Sequence, residues 1–125
     1  MSTIMVVDDS QMIRQQFSRM LTAGGHTVVE AADGVAALEK LRADSSIRLI
    51  LLDVNMPKMS GLELLQSLHE DPVLTTPAVL MITTEVQAEL VQQAKGLGAK
   101  GWLVKPVKAE ALLAAVNSLL GSDAR

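Results

Sequence analysis

The run "LILLDVNMPKMSG", residues 49–61, decides how this chain folds. Leu49-Ile50-Leu51-Leu52 shows no polar face to water, so it reads as a strand hidden on both sides. Strands of that kind belong to parallel sheets with helices packed on each face. Asp53 ends the run, and a Met-Pro and a Ser-Gly follow within a few residues. A carboxylate at the tip of a buried strand lies where an open parallel sheet binds its ligands, beyond the carboxyl ends of the strands.

Outward from this run the same pattern repeats. Short aliphatic runs occur at Thr3-Ile4-Met5-Val6-Val7, Thr27-Val28-Val29, Val79-Leu80-Met81-Ile82 and Trp102-Leu103-Val104. Between them lie stretches with helical spacing. Met12, Ile13, Phe17, Met20 and Leu21 share a predicted face of the first helix, and Leu62, Leu65 and Leu68 one of the third. Val86, Leu90, Val91, Ala94 and Leu97 mark the fourth helix, and Leu112, Leu113, Val116, Leu119 and Leu120 the fifth. Ser60-Gly61-Leu62-Glu63 and Thr84-Glu85-Val86-Gln87 both read as capping boxes that open helices. Gly24-Gly25 and Gly96/Gly98 are suited to close helices with left-handed residues. Regular strand–helix alternation with short connections predicts an α/β fold with right-handed crossovers. The tail, residues 121–125, reads as a frayed end.

The bulk properties narrow the function. The chain has 125 residues, 49% hydrophobic and 20% charged, with a net charge of −3. That balance fits one globular domain and favours neither a nucleic-acid nor an anionic-membrane partner. The absence of cysteine excludes disulfides, thiolate catalysis and Cys-based metal sites. The start is too short in apolar residues, and too soon acidic, for a signal peptide or membrane span. A cytoplasmic monomer is the expectation.

The predicted strand ends are polar: Asp8-Asp9 after the first, Asp53 after the third, Thr83-Thr84 after the fourth, Lys105-Pro106 after the fifth. If the first and third strands are neighbours, three carboxylates meet, each pair repelling by about 4 kcal/mol at ~4 Å and an effective dielectric near 20. One lysine cannot neutralise them, whereas a hard divalent cation such as Mg²⁺ can. Asp53 then keeps an oxygen free to attack phosphorus. Lys105 and Thr83 are the residue types that hold the oxygens of a transferring phosphoryl group. The plainer alternatives are that Asp8 and Asp9 cap the first helix, that Lys105 snorkels, and that Thr83 or Thr84 is only an N-cap. A cis Lys105–Pro106 bond is expected, because a tertiary amide makes that isomer accessible. His26 and His69 have no partner motif and receive no role.

Asp8-Asp9, Asp53, Thr83 and Lys105-Pro106, with the loop Met56-Pro57-Lys58-Met59-Ser60-Gly61, make the chain resemble the receiver domain of two-component response regulators. Each element alone is a weak signal; together, in this order and over essentially the whole chain, they are a strong one. The resemblance implies a doubly wound, flavodoxin-like, five-stranded parallel sheet of order 2-1-3-4-5 with five helices, and a single receiver domain over residues 1–125. It implies that Asp53 accepts a phosphoryl group from a histidine kinase. Asp9, Asp53 and the backbone carbonyl of Asn55 would hold Mg²⁺, with Asp8 acting mostly through water. Thr83 and Lys105 would contact the phosphoryl oxygens, Trp102 would take the aromatic switch position, and Asn55 and Glu85 would flank the path of attacking water. Trp102 and Val107 stand where the family usually has tyrosine or phenylalanine and phenylalanine.

The resulting expectation is a signalling switch that turns over no metabolite and catalyses only its own phosphorylation and dephosphorylation. Its output would leave through the fourth helix, fifth strand and fifth helix, presenting Lys95, Lys100 and Trp102, with the flagellar motor switch as leading target. A phosphorelay intermediate, or a regulator of some other protein, is the alternative within the family. A flavin or nucleotide module would need a phosphate cradle where Asp8-Asp9-Ser10 repels phosphate. A haloacid-dehalogenase-type phosphatase would carry its nucleophile on the first strand, not the third, with an aspartate where Asn55 stands. A receiver that never phosphorylates is disfavoured because no active-site residue is missing.

Overall fold

The computed structural model describes residues 2–56, 59–71 and 77–121. Strands β1 (Thr3–Val7), β2 (Thr27–Ala31), β3 (Ile47–Leu52), β4 (Ala78–Thr83) and β5 (Gly101–Val104) alternate with helices α1 (Gln11–Ala23), α2 (Gly34–Ala43), α3 (Gly61–Glu70), α4 (Ala88–Gly96) and α5 (Ala109–Gly121). The strands are all parallel, in the order β2-β1-β3-β4-β5. Pro57, Lys58 and residues 122–125, part of the loop and tail singled out in the sequence, lie outside the described residues.

The quoted run sits at the centre of this sheet. Leu49 and Leu51 join a core with Phe17 and Leu21 of α1 and Leu112, Val116 and Leu120 of α5. Ile50 and Leu52 face the other way, into a core with Ala37 and Leu41 of α2, Leu64, Leu65 and Leu68 of α3, and Ala94 of α4. Alternate residues of one strand thus feed two cores, which is why the run needed no polar position. Full burial of each such side chain contributes about 1.5–3 kcal/mol. Asp53 is therefore mounted on the central strand of the sheet, anchored in both cores.

Local signals fare unevenly. The Ser60–Glu63 capping box is present, with both reciprocal hydrogen bonds. Gly25 and Gly98 have positive φ (92° and 99°) after α1 and α4. Met12 does not share the buried face of α1 and is 69% exposed. Five residues separate it from Phe17, about 140° around the helix axis, whereas Ile13, Phe17 and Leu21 stack four apart.

The box expected at Thr84 does not form. α4 starts at Ala88, its N-cap Gln87 makes no side-chain cap, and Val86 is an exposed loop residue. The cause is Glu85. Its N–H donates to Thr83 Oγ1, and its carbonyl accepts from the Trp102 indole. Both bonds hold residue 85 in the loop that precedes α4.

Candidate functional site

β1 and β3 are adjacent, so Asp8 and Asp53 leave neighbouring strand ends side by side. Asp53 N–H donates to the Val7 carbonyl and Asp8 N–H to that of Ala31, which extends the ladder one step past each strand and fixes both backbones. Asp8, Asp53 and Thr83 are the buried polar side chains among the described residues. One oxygen each from Asp8, Asp9 and Asp53 lie within 4.8 Å of one another. Three hard oxygen donors at that separation suit a hard cation, and this cluster could hold a metal ion.

Lys105, immediately after β5, reaches across the sheet end to both buried carboxylates. Its Nζ lies 2.6 Å from Asp8 Oδ2 and 3.0 Å from Asp53 Oδ2. The Lys105–Pro106 bond is cis, as expected. Thr83 ends β4 with its side chain fully buried, and its carbonyl accepts from Lys105 N–H. The capping question also resolves. Ser10, not an aspartate, caps α1 through the Ile13 N–H, while Asp8 Oδ1 accepts from Ser10 N–H. The carboxylates are therefore not consumed by the helix.

Burial pushes the Asp8 carboxyl above its ordinary value of 3.8, and the hydrogen bonds from Lys105 and Ser10 only partly oppose this. Burial would likewise lower the Lys105 ammonium. Its hydrogen bonds to Asp8 and Asp53 outweigh that and hold it above the ordinary lysine range. A consequence is testable without metal. A raised folded-state pKa means that the stability contributed by protonated Asp8 is complete below 3.8 and is lost as pH rises through the raised value. Asp8→Asn, unfolded by urea in chelator, is expected to gain stability over the wild type at neutral pH, with the gain shrinking as the pH falls toward 3.8. A difference independent of pH would show that Asp8 carries no such burden.

Around this centre the structure places the remaining residues named from the sequence. Asn55 N–H donates to Asp53 Oδ1, and its side-chain amide donates to Glu85 Oε2 at 3.0 Å. Glu85 thus links the loop after Asp53 with the loop after Thr83. Trp102 is half-buried against the α2–α4 core, its Nε1–H donating to the Glu85 carbonyl at 3.0 Å. The loop after β4 supplies that acceptor, and a buried indole N–H takes one where it can. Lys95 and Lys100 flank the same β5–α4 surface and are exposed. His26 pairs with Asn117 at 3.1 Å, far from the site in the fold's connectivity.

Sequence reasoning missed Arg14 and Glu30. Arg14 Nη1 donates to the Asp8 carbonyl at 2.7 Å, and its Nε to Glu30 Oε1 at 3.1 Å. The available signal was a lone arginine three residues before Phe17 and seven before Leu21, on the stripe that faces the core.

Comparison with known proteins places this arrangement. Residues 4–117 match the response regulator receiver domain. The chain is 36% identical over 119 residues to the chemotaxis protein CheY of Treponema pallidum, covering 94% of this chain and 81% of that protein. It is 34% identical over 122 residues to chemotaxis protein CheY1 of Helicobacter pylori, covering 96% and 98%. Among solved structures, the chemotaxis protein CheY4 of Vibrio cholerae superposes with a TM-score of 0.88 at 39% identity, covering 95% and 98%.

Proposed function

The chain belongs to the response regulator receiver domain family, and from that premise we propose that it is a phosphorylation-dependent switch, loaded at Asp53 by a histidine kinase. The observation that carries this reading is Asp53 itself. It is a buried carboxylate at the tip of the central strand, 3.0 Å from Lys105 and clustered with Asp8 and Asp9. Asp53, Asp9 and the Asn55 carbonyl would hold Mg²⁺, Asp8 acting largely through water. Bound there, a divalent ion supplies neutralisation of carboxylate and phosphoryl charge.

The chain's own residues do the rest. An Asp53 oxygen bonds to phosphorus as the bond from phosphorus to the donor's imidazole nitrogen breaks. The Lys105 ammonium and the Thr83 hydroxyl donate to the transferring oxygens. Asn55 and Glu85, polar and hydrogen-bonded to each other, leave a path for the water that later hydrolyses the acyl phosphate. No metabolite is turned over. The names of relatives that it resembles favour chemotaxis, and the flagellar motor switch is the proposed target. A phosphorelay intermediate, or a regulator of another protein, is the alternative. The chain is read as a single receiver domain, cytoplasmic and monomeric; among the described residues no helix is long and apolar enough to cross a membrane. Incubation with acetyl phosphate and Mg²⁺ followed by intact mass tests the reading, and no mass gain with Mg²⁺ present would defeat it.

Trp102 is proposed as the reporter of the switch. Its indole is tied to Glu85, whose N–H is tied to Thr83, so movement of Thr83 toward a phosphoryl group pulls on the indole's acceptor. The chain has one tryptophan and no tyrosine, so ultraviolet emission reads position 102 alone. Saturating beryllofluoride, a phosphoryl mimic on Asp53, is expected to shift emission and reduce acrylamide quenching, and Thr83→Ala to blunt both. A full shift from 1:99 to 99:1 would require about 5.5 kcal/mol of differential interaction, so a smaller, graded change is the expected form. Emission indifferent to the mimic would make Trp102 a packing residue.

A further inference from the structure

Among the described residues, Asp9 is the exposed member of the carboxylate cluster and its side chain makes no hydrogen bond. Its direction therefore depends on its backbone. That backbone is held from one side by Arg14, whose Nη1 donates to the Asp8 carbonyl at 2.7 Å. This carbonyl belongs to the peptide that joins Asp8 to Asp9, so fixing it fixes the plane from which Asp9 departs. The guanidinium is itself fixed. Its side chain is only 15% exposed, its Nε donates to Glu30 Oε1 at 3.1 Å, and Glu30 Oε2 accepts from Ser18 Oγ at 3.1 Å. Both oxygens of Glu30 are thus engaged, and the fork of Arg14 bridges α1, edge strand β2 and the end of β1.

The charges point the same way. An arginine beside a cation site would ordinarily repel the cation, but Glu30 neutralises Arg14 at salt-bridge distance. The pair holds the peptide with a charge-assisted bond while adding no net charge next to the carboxylates. We infer that Arg14, oriented by Glu30, is a positioning residue for the cation site: it aims Asp9 through the Asp8–Asp9 peptide. This rests on the Mg²⁺ reading of the carboxylate cluster.

Calorimetric titration of the full chain with Mg²⁺ tests it, alongside urea unfolding in chelator. Arg14→Gln is expected to bind Mg²⁺ about tenfold more weakly, in the range typical for partners that orient metal ligands, with Arg19→Gln within about twofold of wild type. Arg19 lies exposed on the same helix, so that variant removes the same charge without touching the carbonyl. Equal affinities in the two variants, or a loss of metal-free stability in Arg14→Gln with unchanged affinity, would overturn the inference. Should Arg14→Gln fail to fold, Glu30→Gln decides: it leaves the Arg14 charge uncompensated and is expected to weaken Mg²⁺, and wild-type affinity there overturns the proposal. A wild-type chain that takes up no Mg²⁺ would instead remove the cation site itself, and this inference with it.

Discussion

Incubated with acetyl phosphate and Mg²⁺, the wild-type chain is expected to gain one phosphoryl mass and Asp53→Asn none. The physical reason is the singularity of this carboxylate's position. Asp8 ends β1, off the centre of the sheet, and is both more deeply buried and closer to Lys105, at 2.6 Å against 3.0 Å for Asp53. Asp9 is exposed and makes no hydrogen bond to Lys105 or Thr83 among the described residues. Asp53 alone ends the central strand with one oxygen against Lys105 and the other against the Asn55 N–H. Asparagine keeps the size and the acceptor oxygen but loses the negative charge and nucleophilicity that attack on phosphorus requires. It also relieves repulsion in the carboxylate cluster, so the variant is expected to fold and to melt no lower than the wild type in chelator. Labelling of Asp53→Asn to the wild-type extent would move the acceptor elsewhere.

Gly61→Ala is expected to be the most damaging single methyl addition. A Cβ at Gly61 would stand 2.0 Å from the Asp53 carbonyl oxygen and 3.0 Å from Val54 Cα, both backbone atoms that no rotamer change can move aside. Gly61 N–H also donates to the Val54 carbonyl, so the start of α3 is pressed against the main chain that carries Asp53. Relief requires shifting either the helix or the backbone of Asp53. Overpacking of this kind costs about 3 kcal/mol or more, a large share of the ~5–15 kcal/mol that holds a domain folded. Urea unfolding should show that loss, and phosphorylation of the folded fraction should slow because Asp53 is displaced. Gly96→Ala is the contrast: it lies at the end of α4 with nothing within 4 Å of the added carbon, and alanine there should gain up to about 1 kcal/mol of helix propensity. If the two variants unfold at the same urea concentration, the close approach at Gly61 has no energetic weight.

Much of this was legible along the chain, and the reason is physical. The 49–52 run of β3 declares itself because burial on both faces leaves it no polar position, and the Ser60–Glu63 box and the left-handed Gly25 and Gly98 are written within a few residues of the turns they serve. Strand alternation then brings Asp8, Asp53, Thr83 and Lys105 to one sheet edge whatever their separation in sequence. What only the tertiary structure decided are contacts between residues far apart in the chain. Thr84 opens no helix, and the Glu85 carbonyl next to it accepts from Trp102, 17 residues beyond Glu85. Arg14 found Glu30 sixteen residues away, and through it became the brace of the Asp8 peptide. Local propensity cannot weigh such partners, because the bonds exist only once packing has set the loops beside one another.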